Sequence, residues 1–210
     1  MPAAAQSKAR FWDRTAEKYA RQPIADTESH ERKLDLTRER LRADMHVLEF
    51  GCGTGSTAIR HAPYVTDILA TDISPKMLEI ARRRAEEAGV ENICFERIGF
   101  EALQRLDASF DAVLGLSILH LIDDPAAAVR KVHRLLRPGG VFVSNTACIA
   151  QMNPLIRLAI PVMRLIGKAP DLTVFRQERL VGMVEAAGFR ITENWRPDDG
   201  ATVFLIAEKS

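Results

Sequence analysis

The chain has 210 residues, 47% of them hydrophobic and 27% charged, with 29 Lys and Arg against 28 Asp and Glu, a net charge of +1. This is enough apolar material for the core of one ordinary domain, and it excludes wholesale disorder. So even a charge balance argues against a protein that holds nucleic acid by neutralising phosphates. Three scattered cysteines (Cys52, Cys94, Cys148) without a C-x-x-C make no disulfide framework and point to a reducing compartment. The N-terminus MPAAAQSKARFWDR lacks the apolar stretch of a secretory signal. No run reaches the roughly 18–20 apolar residues of a spanning helix. The expectation is a soluble, cytoplasmic, single-domain protein.

In chain order, helical patterns cover 7–19 and 29–41, separated by Gln22-Pro23. His46–Phe50 reads as a strand stopped by Gly51, followed by a short helix from Thr54 that ends before Pro63. A second strand covers 65–70. Ser74 then stands as N-cap and Pro75 as first residue of a helix to Ala88, with Gly89 as its stop. Residues 93–96 form a weaker strand, and 110–116, almost wholly apolar, a strand covered on both faces. Asp124-Pro125 repeats the cap-and-proline signal before a helix to Leu136, and Pro138-Gly139-Gly140 turns into a strand over 141–145. After an irregular apolar stretch come a helix over 177–187 and strands over 191–195 and 202–207, joined by Pro197-Asp198-Asp199-Gly200. Strands alternating with helices predict an α/β fold: a doubly wound, Rossmann-like, seven-stranded, mostly parallel sheet with helices on both faces and an antiparallel edge hairpin.

The informative segment is Val47-Leu48-Glu49-Phe50-Gly51-Cys52-Gly53-Thr54-Gly55. A strand that runs into a glycine cluster opening a helix is a ligand-binding corner, because backbone without Cβ lets a ligand approach closely. The spacing is G-x-G-x-G; Ser56 stands where a dinucleotide fingerprint would need a further glycine. Asp72 ends the second strand 21 residues after Gly51, where a carboxylate can accept hydrogen bonds from both hydroxyls of a ribose.

With these features the chain resembles the class I S-adenosylmethionine-dependent methyltransferases. VLEFGCGTG is similar to their first motif, TDISPKMLEIARRRA to their second-strand motif, and FDAVLGLSILHLIDDP with LRPGGVFV to their fourth and fifth strands. The resemblance implies S-adenosylmethionine as methyl donor and S-adenosylhomocysteine as product. It places Glu49 near the methionine amino group and the Gly51-Cys52-Gly53 backbone, with Gly55 closing the corner, along methionine and ribose. It gives Asp72 the ribose hydroxyls, sets Ile73 and Met77 beside the adenine and Ser117 near the methionine. Where the family usually has an acidic residue for the adenine amino group, this chain has Gly99 in Ile98-Gly99-Phe100-Glu101, so Glu101 or a backbone carbonyl must substitute, and Phe100 can stack.

Methyl transfer from a sulfonium needs alignment and exclusion of water more than proton chemistry, and a base only where the acceptor must lose a proton. His120, after the fourth strand, is the candidate base. No metal-ligand spacing is present; Asp124 is explained as a cap and Cys52 as packing. Phe11, Trp12 and Tyr19 can share a helix face, and the resemblance implies a lid, from which Tyr19 can reach the methionine end. Residues 152–168, apolar nearly all round but interrupted by Pro154 and Pro161, leave three readings: a lid over the acceptor, a membrane-surface patch, or a subunit contact; the lid is preferred. The expected organisation is one domain, with a helical lid at 1–45, a cofactor core at 46–147, an apolar insert at 148–176, and a C-terminal helix and hairpin at 177–210. The expected activity is methyl transfer to a small, partly apolar metabolite by a monomer or homodimer. The alternative is a module that binds S-adenosylmethionine or its product without transfer.

Overall fold

A computed structural model describes residues 6–24, 26–151, 158–161, 163, 169–197 and 201–210, and residues 3–5 by backbone alone. Among the described residues seven strands form one sheet in the order β3-β2-β1-β4-β5-β7-β6. They are β1 (His46–Phe50), β2 (Asp67–Asp72), β3 (Ile93–Arg97), β4 (Phe110–Leu116), β5 (Leu136–Ala147), β6 (Phe189–Trp195) and β7 (Thr202–Lys209). The first five pair in parallel, while β7 lies antiparallel between β5 and β6, so the reversed strand of the edge hairpin is one in from the edge. From β1 the chain winds one way to β2 and β3; from β4 it winds the other way. The crevice at the carboxyl ends of β1 and β4 is therefore the switch point, where such sheets bind ligands.

The helices are α1 (Ala3–Arg21), α2 (Thr27–Arg38), α3 (Ser56–His61), α4 (Pro75–Glu87), α5 (Pro125–Leu135) and α6 (Gln177–Ala186). Period-two alternation along the central strands splits the core in two. Leu48, Phe50, Val113 and Phe142 face Val129 and Val132 of α5 and Leu180 and Val184 of α6. Val47, Ile68, Leu114 and Val143 pack with Ala58 of α3 and Leu78 of α4. Ala16 of α1 joins Met77 and Ile80 of α4 in a third cluster, which lays α1 beside the switch point. The proline-led starts form as the caps dictate: Ser74 Oγ accepts from Met77 N–H at 3.1 Å and an Asp124 carboxylate oxygen from Ala127 N–H at 2.9 Å.

Several boundaries differ from expectation by a few residues, and β2 and β5 show why. β2 starts at Asp67 and runs through Asp72, because Thr71 pairs with Phe50 and Asp72 with Arg97, so backbone pairing carries the strand past its apolar run. β5 starts at Leu136, opposite Phe110, and the register then shifts to Ala112 opposite Val141; Pro138-Gly139-Gly140 is an irregularity inside the strand. Residues 98–109 cross from β3 to β4 without a helix. Most of the apolar stretch 152–168 and the hairpin residues 198–200 lie outside the described residues. No helix among the described residues is long and apolar enough to cross a membrane.

Gly115 of β4 is where the core tolerates least: a Cβ there would sit 2.5 Å from Phe50 Cζ. Gly115→Ala is expected to cost about 2 kcal/mol through overpacking, read as a lower urea midpoint with unchanged slope.

Candidate functional site

Three strand tips build the site: those of β1, β2 and β4. After β1 the chain turns at Gly51, whose φ of +68° suits glycine. A Cβ at Gly51 would also stand 2.6 Å from the Ile118 side chain, so β1 and the segment after β4 approach too closely for any other residue. Asp72, last residue of β2, reaches across to this turn. One carboxylate oxygen accepts from Gly53 N–H at 2.9 Å and the other from Ser74 N–H at 2.8 Å. Burial raises the Asp72 pKa against the lowering by these N–H groups.

Glu49 of β1 lies fully buried beneath the same turn, and one of its oxygens has no hydrogen-bond partner. Burial and the nearby Asp72 charge push its pKa up to about 8, so the unliganded carboxyl holds its proton at neutral pH. Desolvation of the Tyr19 hydroxyl of α1, and then the Asp72 and Glu49 carboxylates, raise its pKa, although the residue as a whole is half-exposed. The Cys52 thiol is buried and held well above its ordinary pKa, which suits packing rather than nucleophilic attack.

Two cavities of about 850 and 510 Å³ flank the glycine turn, and Tyr19, Gly51, Gly53 and Ser117 line both. Asp72, Ile73, Met77, Phe100 and Glu101 line only the larger; Glu49 and Cys52 line only the smaller. Gly55 lines neither. Its missing Cβ, which would stand 2.9 Å from that of Ala81, lets α3 lie close to α4. His120 also lines neither: burial pushes its imidazole down to about 4 and Nδ1 has no partner, while its backbone carbonyl accepts from Thr173 N–H at 2.8 Å.

The far wall of the larger cavity is the loop after β3. Phe100 stacks on Phe50, centroids 4.0 Å apart, so its ring is anchored to the core. Lys131 of α5 donates to the carbonyls of Phe100, Glu101 and Leu103 at 2.6, 3.2 and 2.6 Å, pinning the loop. A Cβ on Gly99 would lie 3.4 Å from a Glu101 carboxylate oxygen. The Glu101 carboxylate thus stands beside the space that a side chain at 99 would enter. The near wall is α1, clasped at three points: Lys8 to Asp123 at 2.6 Å, Asp13 to Ser74 Oγ at 2.6 Å, and the Ala20 carbonyl to Arg84 at 2.6 Å.

Sequence reasoning missed several lining residues. Lys131, Lys33 and Arg84 are single cations on helices that meet only through the fold. Asn145 of β5 donates to Ser117 Oγ at 3.2 Å, and its backbone carbonyl accepts from Ser117 N–H at 2.6 Å, holding Ser117 at φ +57°. For Asn145 a signal existed: its place at the carboxyl end of a strand beside Ser117.

Comparison with known proteins places this geometry. Residues 47–140 match the family model described as a methyltransferase domain. The chain is 38% identical over 102 residues, 49% of its length, to the uncharacterized methyltransferase YcgJ of Bacillus subtilis, covering 40% of that protein. It is 33% identical over 112 residues to a ubiquinone biosynthesis O-methyltransferase of Ruegeria pomeroyi, 53% of this chain and 45% of that one. The chain spans less than half the length of these curated relatives. The solved structure of the N-methyltransferase NodS from Bradyrhizobium japonicum, bound to S-adenosyl-L-homocysteine, superposes with a TM-score of 0.72 at 16% identity over 98% of both chains. The YcgJ crystal structure gives 0.70 at 22% identity, over 86% of this chain and 99% of that one. At such identities the two solved structures bear on the fold.

The Glu49 environment has a measurable consequence. Its folded pKa lies above the unfolded value, so folding is favoured while both states are protonated, and that advantage is lost as pH rises from about 4.5 to about 8. The expected slope is a loss of about 1.4 kcal/mol per pH unit across that window. Denaturation curves at several pH values should show Glu49→Gln removing that slope.

Proposed function

We propose that this chain, whose residues 47–140 match the methyltransferase domain model, is a class I S-adenosylmethionine-dependent methyltransferase acting on a small, partly apolar metabolite. The observation that carries this reading is the Asp72 carboxylate, drawn against Gly53 N–H at 2.9 Å on the rim of an 850 Å³ cavity. A carboxylate beside an open backbone turn suits a ribose bearing no phosphate.

The rest of the site fits the same nucleoside. Ile73, Met77 and the anchored Phe100 offer an apolar slot for a flat base. Glu101, beside Gly99, is our candidate for the exocyclic amino group of adenine. The unpartnered Glu49 oxygen offers an ammonium a counter-charge, which would draw the proton off that carboxyl. Tyr19 and Ser117, common to both cavities, are placed to border the reacting end.

S-adenosylmethionine, when bound, supplies a methyl group already activated on sulfonium. What remains for the protein is to hold the acceptor in line and keep water out. We assign the exclusion of water to α1, clasped by Lys8 and Asp13, and to the insert at 148–176. Where the acceptor must shed a proton, we keep His120 as the candidate base, although it lines neither cavity and burial pushes its pKa down to about 4, which makes it weak. The relative named for ubiquinone biosynthesis is an O-methyltransferase, which supports a hydroxyl on a partly apolar acceptor.

The direct test is transfer of label from methyl-labelled S-adenosylmethionine into a metabolite extract; no labelled product at any protein concentration would overturn the reading. Asp72→Ala is expected to weaken S-adenosylhomocysteine binding by roughly 30-fold or more in calorimetric titration. It should also lower the melting temperature, since Asp72 ties Gly53 to Ser74. Glu101→Gln should reduce the preference for S-adenosylhomocysteine over S-inosylhomocysteine, which lacks the exocyclic amino group, by roughly tenfold.

A further inference from the structure

The donor reading above sets the ribose by Asp72 in the larger cavity and the amino-acid end by Glu49 in the smaller, so the sulfonium falls where the two meet. Tyr19, Gly51, Gly53, Leu116 and Ser117 line both cavities and mark that place. We propose, resting on that donor reading, that Ser117, aimed by Asn145, is the hydrogen-bond donor that seats the methyl acceptor. The seated atom is an ionised oxygen, that of a carboxylate or of an acidic phenol or enol, and not an amine nitrogen.

Ser117 follows β4 with φ +57°, a left-handed conformation in which a residue with a side chain is strained. A glycine would make the same turn without strain, so what serine adds here is its hydroxyl. Two bonds tie the residue to Asn145 of the neighbouring strand β5. Ser117 N–H donates to the Asn145 carbonyl at 2.6 Å, and Asn145 Nδ2 donates to Ser117 Oγ at 3.2 Å. The second bond fills one lone pair of the hydroxyl and leaves its hydrogen to be given away. Among the described residues Asn145 is the hydrogen-bond partner of that hydroxyl, and the exposed Ser117 side chain stands at the walls of both cavities.

The meeting place thus holds donors and no base. Its polar side chains are the hydroxyls of Ser117 and Tyr19, and the Tyr19 phenol, its pKa raised by burial and the nearby acids, keeps its proton at neutral pH. Asp72 lines only the larger cavity and braces Gly53 and Ser74, while Glu49 lies beneath the turn, assigned to the ammonium. An amine has a single lone pair. At neutral pH a proton occupies it, and once bare it would be taken by the Ser117 O–H. An ionised oxygen has at least two, so one accepts from Ser117 while another attacks. The O–CH3 bond forms as the S–CH3 bond breaks, the electron pair of the broken bond passes to sulfur, and no proton has to leave.

The test is transfer of label from methyl-labelled S-adenosylmethionine into a metabolite extract, with the labelled product purified and its methyl position fixed by mass spectrometry. The expected product is a methyl ester or the methyl ether of a phenol or enol; mild alkali tells these apart, since it hydrolyses the ester. A methyl group on nitrogen, sulfur, carbon or an alcohol oxygen overturns the proposal and leaves the donor reading standing. Ser117→Gly, which keeps the turn, is expected to lower the transfer rate at saturating donor roughly tenfold or more. The donor KM and the calorimetric affinity for S-adenosylhomocysteine should stay within about twofold of wild type, a split that damage to the turn would not give. Asn145→Asp is expected to lower the rate in the same way, because the new carboxylate takes the Ser117 hydrogen and turns the donor away from the acceptor. A wild-type rate in either folded variant, or a loss of S-adenosylhomocysteine affinity in Ser117→Gly that matches the loss of rate, overturns the assignment. No labelled product from wild type overturns the donor reading and this proposal with it.

Discussion

The bonds from Asp72 to Gly53 N–H and Ser74 N–H hold the site in shape. They join the tips of β1 and β2, and so fix how far the glycine turn stands from the start of α4. The same carboxylate that a ligand sugar would use is already a structural brace with two of its lone pairs committed. A carboxylate carries about four acceptor positions, so both roles coexist. Since its orientation is set by the protein beforehand, binding needs little ordering of this residue.

Burial of the second acid follows from the first. Glu49 alternates on β1 with Leu48 and Phe50, under the turn that Asp72 braces, and its Oε2 finds no partner among the described residues. A buried carboxyl beside another carboxylate keeps its proton. The unliganded site is therefore less charged than its composition suggests. Burial and counter-charge act in opposite directions on one group, and that opposition lets a ligand be read as an electrostatic event as well as a fit of shape.

Much of the fold was legible. The strands at 46–50 and 110–116 are short apolar runs with polar or glycine stops, and Ser74-Pro75 and Asp124-Pro125 specify helix starts by local chemistry alone. What escaped was set by pairing between strands. The second strand begins at Asp67 rather than at residue 65 and ends at Asp72, the residue read from the sequence as its tip, while Pro138-Gly139-Gly140 looks like a turn but lies within β5. In the site, Gly51, Gly53 and Asp72 stand out in the sequence by residue type and spacing, and the fold brings them to one cavity, with Gly53 N–H donating to the Asp72 carboxylate. Gly55 belongs with them in sequence, but its missing Cβ serves the approach of α3 to α4. Lys33, Arg84 and Lys131 carry no such signature: each is one cation among 29, and only the fold decides which of them meets a carboxylate.

That last point bears on what net charge can say. A total of +1 argues against a broad basic surface, and the ion pairs bear this out locally: Arg137 with Asp111, Arg60 with Glu31, Lys8 with Asp123. Pairing consumes charge wherever helices and strands lie against solvent, where each pair is worth little to stability. The informative charges are the residue of that cancellation. In the larger cavity Asp72, Glu101 and Asp123 stand among Lys8, Arg97 and Lys131, while Lys33 and Arg84 line the smaller. The charge that the average conceals is thus sorted by the fold, cavity by cavity.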